Sequence, residues 1–195
     1  MRVFLSRYGI YLSKFTVHKY MNKMLNLTSI IIQKKPGYES GHKHKIFDNL
    51  LKQDFTIIEK NKVWCTDFTY MRQANGRFRY NRTIIDLYDR SAIASINADY
   101  MNTELAIKTL NEALIKEKRP KNLILRSNQG VQFTSWEFVK FCKDNNIIQS
   151  MSRAGCPYDN APMERFYNTF KNCFYYRFTF DSVEMLDKMT KQYIN

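Results

Sequence analysis

Two acidic residues on different stretches of this chain are placed for divalent-cation chemistry. Asp67 stands in the middle of Val63-Trp64-Cys65-Thr66-Asp67-Phe68-Thr69-Tyr70, a run whose other members suit a buried strand. A carboxylate there is costly unless it is paired or bound to a cation. Glu164 falls in the first turn of a helix opened by Asn160-Ala161-Pro162. In that helix Met163, Phe166, Tyr167, Phe170 and Phe174 form an apolar stripe, and Glu164, Asn168 and Lys171 share a polar face. Acids brought together from separate elements are how proteins hold magnesium, with water and phosphate completing the shell. Taken singly, each acid reads first as a structural ion-pair partner or a helix-start residue.

The elements that must position these acids follow from residue patterning. Residues 63–71, 80–88 and 91–98 are β-prone runs joined by short connections around Asp86, Asp89 and Arg90, which predicts three neighbouring antiparallel strands. Asn102 caps a helix with Leu105, Ala106, Leu110, Ala113 and Leu114 on one face, ended before Pro120. Residues 122–128 read as a buried strand. Thr134-Ser135-Trp136-Glu137 has capping-box spacing and predicts a helix burying Phe138, Phe141 and Cys142, and 147–152 is a fifth strand. Three adjacent strands followed by αβαβα predict a mixed α/β layer fold, and no Gly-rich nucleotide loop argues otherwise.

Ahead of this region the chain changes character. Ser13 is a good N-cap, and Val17, Tyr20, Met21 and Met24 are expected on one helix face, leaving Lys14, Lys19 and Lys23 to reach phosphates as in the recognition helix of a helix-turn-helix. An ordinary amphipathic helix is the competing reading. The stretch after it, with Pro36, Gly37, Gly41 and many lysines, reads as a linker with one short helix, and His42 and His44 as solvated loop residues.

The 31 Lys and Arg against 18 Asp and Glu give a net charge of +13, and residues 1–62 carry 12 basic residues to 4 acidic ones. Counterion release makes nucleic acid the leading partner class for such a surface. Cys65, Cys142, Cys156 and Cys173 stand singly, which indicates neither a zinc site nor a disulfide framework and points to a reduced, cytoplasmic chain. Arg7 interrupts the apolar N-terminus before it reaches signal-peptide length, and no run is long enough to span a membrane.

Three blocks now carry a resemblance. They are Trp64-Cys65-Thr66-Asp67-Phe68-Thr69-Tyr70; Arg126-Ser127-Asn128-Gln129-Gly130-Val131-Gln132-Phe133-Thr134-Ser135; and Tyr158-Asp159-Asn160-Ala161-Pro162-Met163-Glu164-Arg165-Phe166. In order and spacing the sequence resembles the insertion-sequence-three transposases, relatives of retroviral integrases. Between Asn128 and Glu164 lie 35 residues, the family's D,D-35-E interval, and Lys171 occupies its basic position seven residues past the glutamate. The resemblance implies a ribonuclease H-like mixed five-stranded sheet flanked by helices, with a small helical N-terminal segment. It implies DNA strand cleavage and transfer, in which Mg2+ (or Mn2+) ions bound by three acids activate a water or a DNA 3′-hydroxyl and stabilise the leaving oxygen. Asp67 and Glu164 would be metal ligands, Asn128 would stand in the second acid's place, and Lys171 would contact a DNA end. The implied partners are mobile-element ends, target DNA and further copies of the chain, in a cytoplasmic, nucleoid-associated setting. The implied domains are a partial helix-turn-helix-like segment over 1–33, a basic linker over 34–59, and an integrase catalytic core over 60–195, truncated at its C-terminus.

The departures from the family shape the functional expectation. The family pattern is His-Ser-Asp-x-Gly, where this chain has Arg126-Ser127-Asn128-Gln129-Gly130. An amide offers one carbonyl oxygen but no charge, and it cannot bridge two ions as a carboxylate does. Asp86 and Asp159 read as turn and helix-start residues rather than as substitutes. The family also continues past the point where this sequence stops at Tyr193-Ile194-Asn195. The expectation is therefore a naturally decayed, truncated transposase with impaired catalysis. Its rivals are a working enzyme completed by partner chains, and a non-catalytic DNA-binding protein that occupies element ends.

Overall fold

The structure, a computed structural model, describes residues 1–27, 45–73 and 75–194. The chain divides into two units, 1–39 and 40–195. In the first, α1 (Arg2–Ser6) and α2 (Lys14–Lys19) are followed by a π-helical turn, Tyr20–Met24. Ser13 caps α2 as its residue type predicts, its hydroxyl accepting from the Thr16 N–H at 3.0 Å. The expected single apolar face does not persist: Val17 is buried, but Tyr20 and Met24 are exposed. The wider π turn at Tyr20 breaks the 3.6-residue spacing on which that face depended. Residues 34–44 of the expected linker, His42 and His44 among them, lie outside the described residues.

The second unit is built on β1 (Val63–Arg72), β2 (Phe78–Asp86), β3 (Ala92–Ala98), β4 (Ile124–Ser127) and β5 (Ile148–Met151), in sheet order β3-β2-β1-β4-β5. The pairs β1–β2 and β2–β3 are antiparallel, while β1–β4 and β4–β5 are parallel. The helices are α3 (Thr103–Lys116), α4 (Val131–Thr134), α5 (Trp136–Asp144), α6 (Ala161–Cys173) and α7 (Val183–Ile194). None among the described residues is long and apolar enough to cross a membrane.

Both sheet faces are covered, and alternation along β1 distributes its side chains between two cores. Trp64 joins Leu110, Leu125, Phe133 and Phe138 on the side of α3, α4 and α5. Val63, Cys65 and Met71 join Met163, Tyr167, Phe170 and Leu186 on the side of α6 and α7. Asp67 shares the parity of this second set, which turns it toward α6. Residues 45–59, expected as linker, lie against this unit: Phe47 packs on the first core, and Leu51, Phe55 and Ile57 on the second.

Capping explains most helix starts. Asn102 accepts from the Leu105 N–H at 2.9 Å and opens α3. For α5 the cap is Ser135, not Thr134, since Thr134 still belongs to α4 while Ser135 is extended and its hydroxyl accepts from the Phe138 N–H. Phe138 and Cys142 are fully buried, with Phe141 partly so.

One core residue contradicts its surroundings. Arg82 is fully buried, its guanidinium 5.4–5.8 Å from the ring centres of Phe68, Phe133 and Phe138. Nη1 donates to the Ala106 carbonyl, but Nε and Nη2 have no hydrogen-bond partner among the described residues. Burial lowers its pKa to about 9. Arg82→Met is therefore expected to stabilise the protein by about 1–4 kcal/mol, raising the thermal midpoint by several degrees. The folded pKa lies below that of a free guanidinium, so between the two the folded chain binds fewer protons than the unfolded. The penalty is full below about pH 9 and fades above it. Urea unfolding at about pH 8 and about pH 10 checks this, the variant's advantage shrinking at the higher pH.

Candidate active site

Parallel pairing of β1 with β4 sets Cys65 opposite Arg126, and two residues further the same register carries Asp67 beside Asn128. The side chains meet: Asn128 Nδ2 donates to Asp67 Oδ1 at 2.8 Å. Asn128 Oδ1 in turn accepts from the Gly130 N–H at 2.8 Å. A Cβ at residue 130 would lie 2.9 Å from that same oxygen and 2.9 Å from Gln132 Oε1, so a side chain there would have to displace the two amide ends.

The start of α6 supplies the remaining contacts. Pro157–Asn160 forms a 3-10 turn, and Asn160 is the N-cap residue of α6 but makes no capping hydrogen bond. Pro162 has removed one of the N–H groups that a cap would serve. The Asn160 amide points instead at Asp67, with Nδ2 2.7 Å from Oδ2. Asp67 Oδ1 also accepts from the Phe68 N–H at 2.8 Å. Two turns along α6, Tyr167 inserts its hydroxyl between β1 and β2. It donates to the Asp67 carbonyl at 2.7 Å and accepts from the Thr83 N–H at 2.9 Å, the residue paired with Asp67 in the sheet. Burial raises the pKa of this phenol and keeps it protonated.

Glu164 sits between these two contacts, four residues after Asn160 and three before Tyr167, in the first turn of α6 and exposed. Lys171, further along α6, is half-buried, with Nζ 4.5 Å from the ring centre of Tyr70. Lys14, Lys19 and Lys23 are exposed in the N-terminal unit. The structure thus joins Asp67 to Asn128 directly and places Glu164 on a helix anchored at Asp67.

A two-cation site does not fit this donor set. Both Asp67 oxygens face amide N–H groups, the Asn128 oxygen is engaged by Gly130, and an N–H rather than a lone pair of Asn128 faces the acid. Among the described residues, no three His, Cys, Asp or Glu side chains are grouped to hold a metal ion. Thiol chemistry is also unsupported in the core, since burial pushes Cys65 and Cys142 up to about 12.

A model of the integrase core domain matches residues 59–157. This chain belongs to the integrase core domain family. It is 37% identical over 131 residues to transposase InsF of insertion sequence IS3A from Escherichia coli (strain K12), a match covering 67% of this chain and 45% of that protein. It is 35% identical over 163 residues to an uncharacterized transposase-like protein from Haemophilus influenzae (strain Rd), covering 84% of this chain and 74% of that one. The Mos1 transposase catalytic domain, solved with raltegravir and Mg, shares the fold with a TM-score of 0.57 at 14% identity, over 69% of this chain and 71% of that one. The sheet and its helices are thus the ribonuclease H-like fold of integrase and transposase catalytic domains. The chain spans about half the length of the Escherichia coli relatives.

In this integrase core, Arg126 is fully buried. Its Nε and Nη2 donate to the Asp159 carbonyl at 3.0 and 2.8 Å, and Nη1 donates to Asn49 Oδ1 and Ser150 Oγ. The Asp159 carboxylate, also fully buried, accepts from Asn49, Gln53 and Arg153. These contacts tie residues 45–59, β4, β5 and the approach to α6 together. Periodicity concealed Asn160 and Tyr167, since one occupies an N-cap position and the other an apolar stripe. The only cue was the need of Asp67 for donors.

Hydrogen bonding by Arg153 holds the Asp159 carboxyl well below the usual carboxylate range. Its folded pKa is depressed, so its contribution is present above the unfolded value near 3.8 and is lost as pH falls below it. Asp159→Asn is expected to cost about 3–5 kcal/mol at neutral pH, because it leaves buried Arg126 without a counter-charge. Denaturant unfolding across pH checks this, with the gap between the two proteins narrowing below about pH 4.

Proposed function

We propose that this chain is a transposase-like DNA-binding protein whose core has the architecture for phosphodiester cleavage and transfer but whose catalysis is impaired. One observation carries the reading: in a family fold with every core strand in place, the position of the second acid holds an amide that hydrogen-bonds Asp67. Asp67 and Glu164 are the remaining acids of the triad. With Asn128 between them the site has one negative charge fewer for the charge that develops on a phosphodiester under attack.

DNA is the proposed partner, as mobile-element ends and target, with further copies of the chain, in the cytoplasm at the nucleoid. Lys171 on α6 and Lys14, Lys19 and Lys23 in the N-terminal unit are the proposed phosphate contacts, within a chain of net charge +13. A regulator that occupies element ends without cutting them is the second reading. It is favoured by the exposure of all three N-terminal lysines, which owe nothing to the acids.

Gel shifts and a strand-transfer assay on element-end DNA test both readings. Binding is expected to persist and to weaken with salt at a log–log slope near −0.9 per phosphate neutralised. Joined product is expected far below that of an intact relative. Product at the relative's level would overturn the impairment, and affinity indifferent to salt would remove the electrostatic basis of binding. A shift confined to element-end sequence would select the regulator over a remnant with general DNA affinity.

A further inference from the structure

Among the described residues, the Asn128 amide, the Asn160 amide and the Phe68 backbone each direct an N–H at the Asp67 carboxylate. The orientation of Asn128 is fixed independently of Asp67. The Gly130 N–H can only donate, so it claims the Asn128 oxygen and leaves the nitrogen to face the acid. Asn160 is likewise committed. It stands where an asparagine ordinarily caps a helix, yet it caps nothing, and its Oδ1 is buried without a hydrogen-bond partner among the described residues. An amide held this way, with one end satisfied by the acid and the other unsatisfied, marks the contact with Asp67 as the dominant constraint on that turn.

We propose that the carboxamides of Asn128 and Asn160 form a clamp that replaces a cation as the structural tie at this site. The clamp holds β1, the end of β4 and the start of α6 together without metal. A carboxylate at residue 128 would face Asp67 at hydrogen-bond distance with no proton between them, and like charges that close need a cation or a shared proton. The amide carries its own protons and so removes that need. Tyr167 reinforces the same junction from α6 through the Asp67 carbonyl. Geometry that the acid triad would complete only with metal is, in this chain, complete in the bare protein.

The proposal rests on the placement of Asn128 given above, and its readout is stability, so the outcome of any strand-transfer assay leaves it untouched. Thermal melting of the full chain is compared in EDTA and in millimolar magnesium chloride. The unaltered protein is expected to melt at the same temperature in both. Asn128→Asp is expected to melt roughly 4–8 °C lower in EDTA and to recover most of that loss with magnesium. Should Asn128→Asp fold only when magnesium is present, the clamp is equally supported. Asn160→Ala is the second variant, expected to lower the midpoint by a similar amount whether or not magnesium is present. A magnesium-dependent rise in the unaltered protein would overturn the proposal, as would Asn128→Asp melting in EDTA at the original temperature. So would an Asn160→Ala protein as stable as the original.

Discussion

A carboxylate on a strand covered on both faces must be given donors or a cation, and the arrangement around Asp67 follows from that requirement. Two of its donors come from elements distant in sequence, one after β4 and one before α6, so satisfying the acid also fixes where those elements end and begin. The demand propagates outward. Orienting Asn128 requires the Gly130 N–H, and a Cβ at residue 130 would press on the Asn128 oxygen that this N–H holds. Turning Asn160 toward the acid removes it from capping α6, which Pro162 makes tolerable by lacking one of the N–H groups a cap would serve.

Two buried arginines show how differently a guanidinium can be accommodated. Arg126 has all three nitrogens engaged, with a buried aspartate nearby, and its partners reach residues 45–59, β5 and the turn before α6. Arg82 has a single hydrogen bond and three aromatic rings, so the core bears most of its desolvation cost. The contrast bears on how Arg126 is understood. Arg82 stands isolated in the apolar core, whereas Arg126 is the centre of a network in which every nitrogen donates.

Much of the fold was legible because it rests on periodicity and capping, which are local. All five strands, α3, α5 and α6 follow from runs of β-branched and aromatic residues, from Asn102 and Ser135 near predicted starts, and from apolar stripes. The D,D-35-E interval singled out Asp67, Asn128 and Glu164, of which the structure brings Asn128 against Asp67. What was not legible depends on pairs far apart in the chain. Asn49 and Gln53 lie in a polar stretch that reads as linker, and only their hydrogen bonds to Asp159 attach it to the core. Tyr167 looks like one more aromatic in a stripe until its hydroxyl is seen between two strands. The helix α7 was missed, and the face of α2 was misjudged because a π turn cannot be read from spacing. Glu164 was placed on the polar side of α6, where it is exposed.

The separation between fold and chemistry has a physical origin. Of the proposed phosphate contacts, Lys14, Lys19 and Lys23 lie in the N-terminal unit, while Lys171 lies on α6, whose start is tied through Asp67 to Asn128. An amide in place of a charge at residue 128 keeps the start of α6 tied to β1 through Asp67 without a cation. It also avoids the repulsion that a pair of acids would bring to the end of β1. The amide is satisfied within the fold, donating to Asp67 and accepting from Gly130. The integrase core thus holds its sheet and its two-sided packing with an amide at this position. The integrity of the structure and the capacity for strand transfer must therefore be measured separately in this chain.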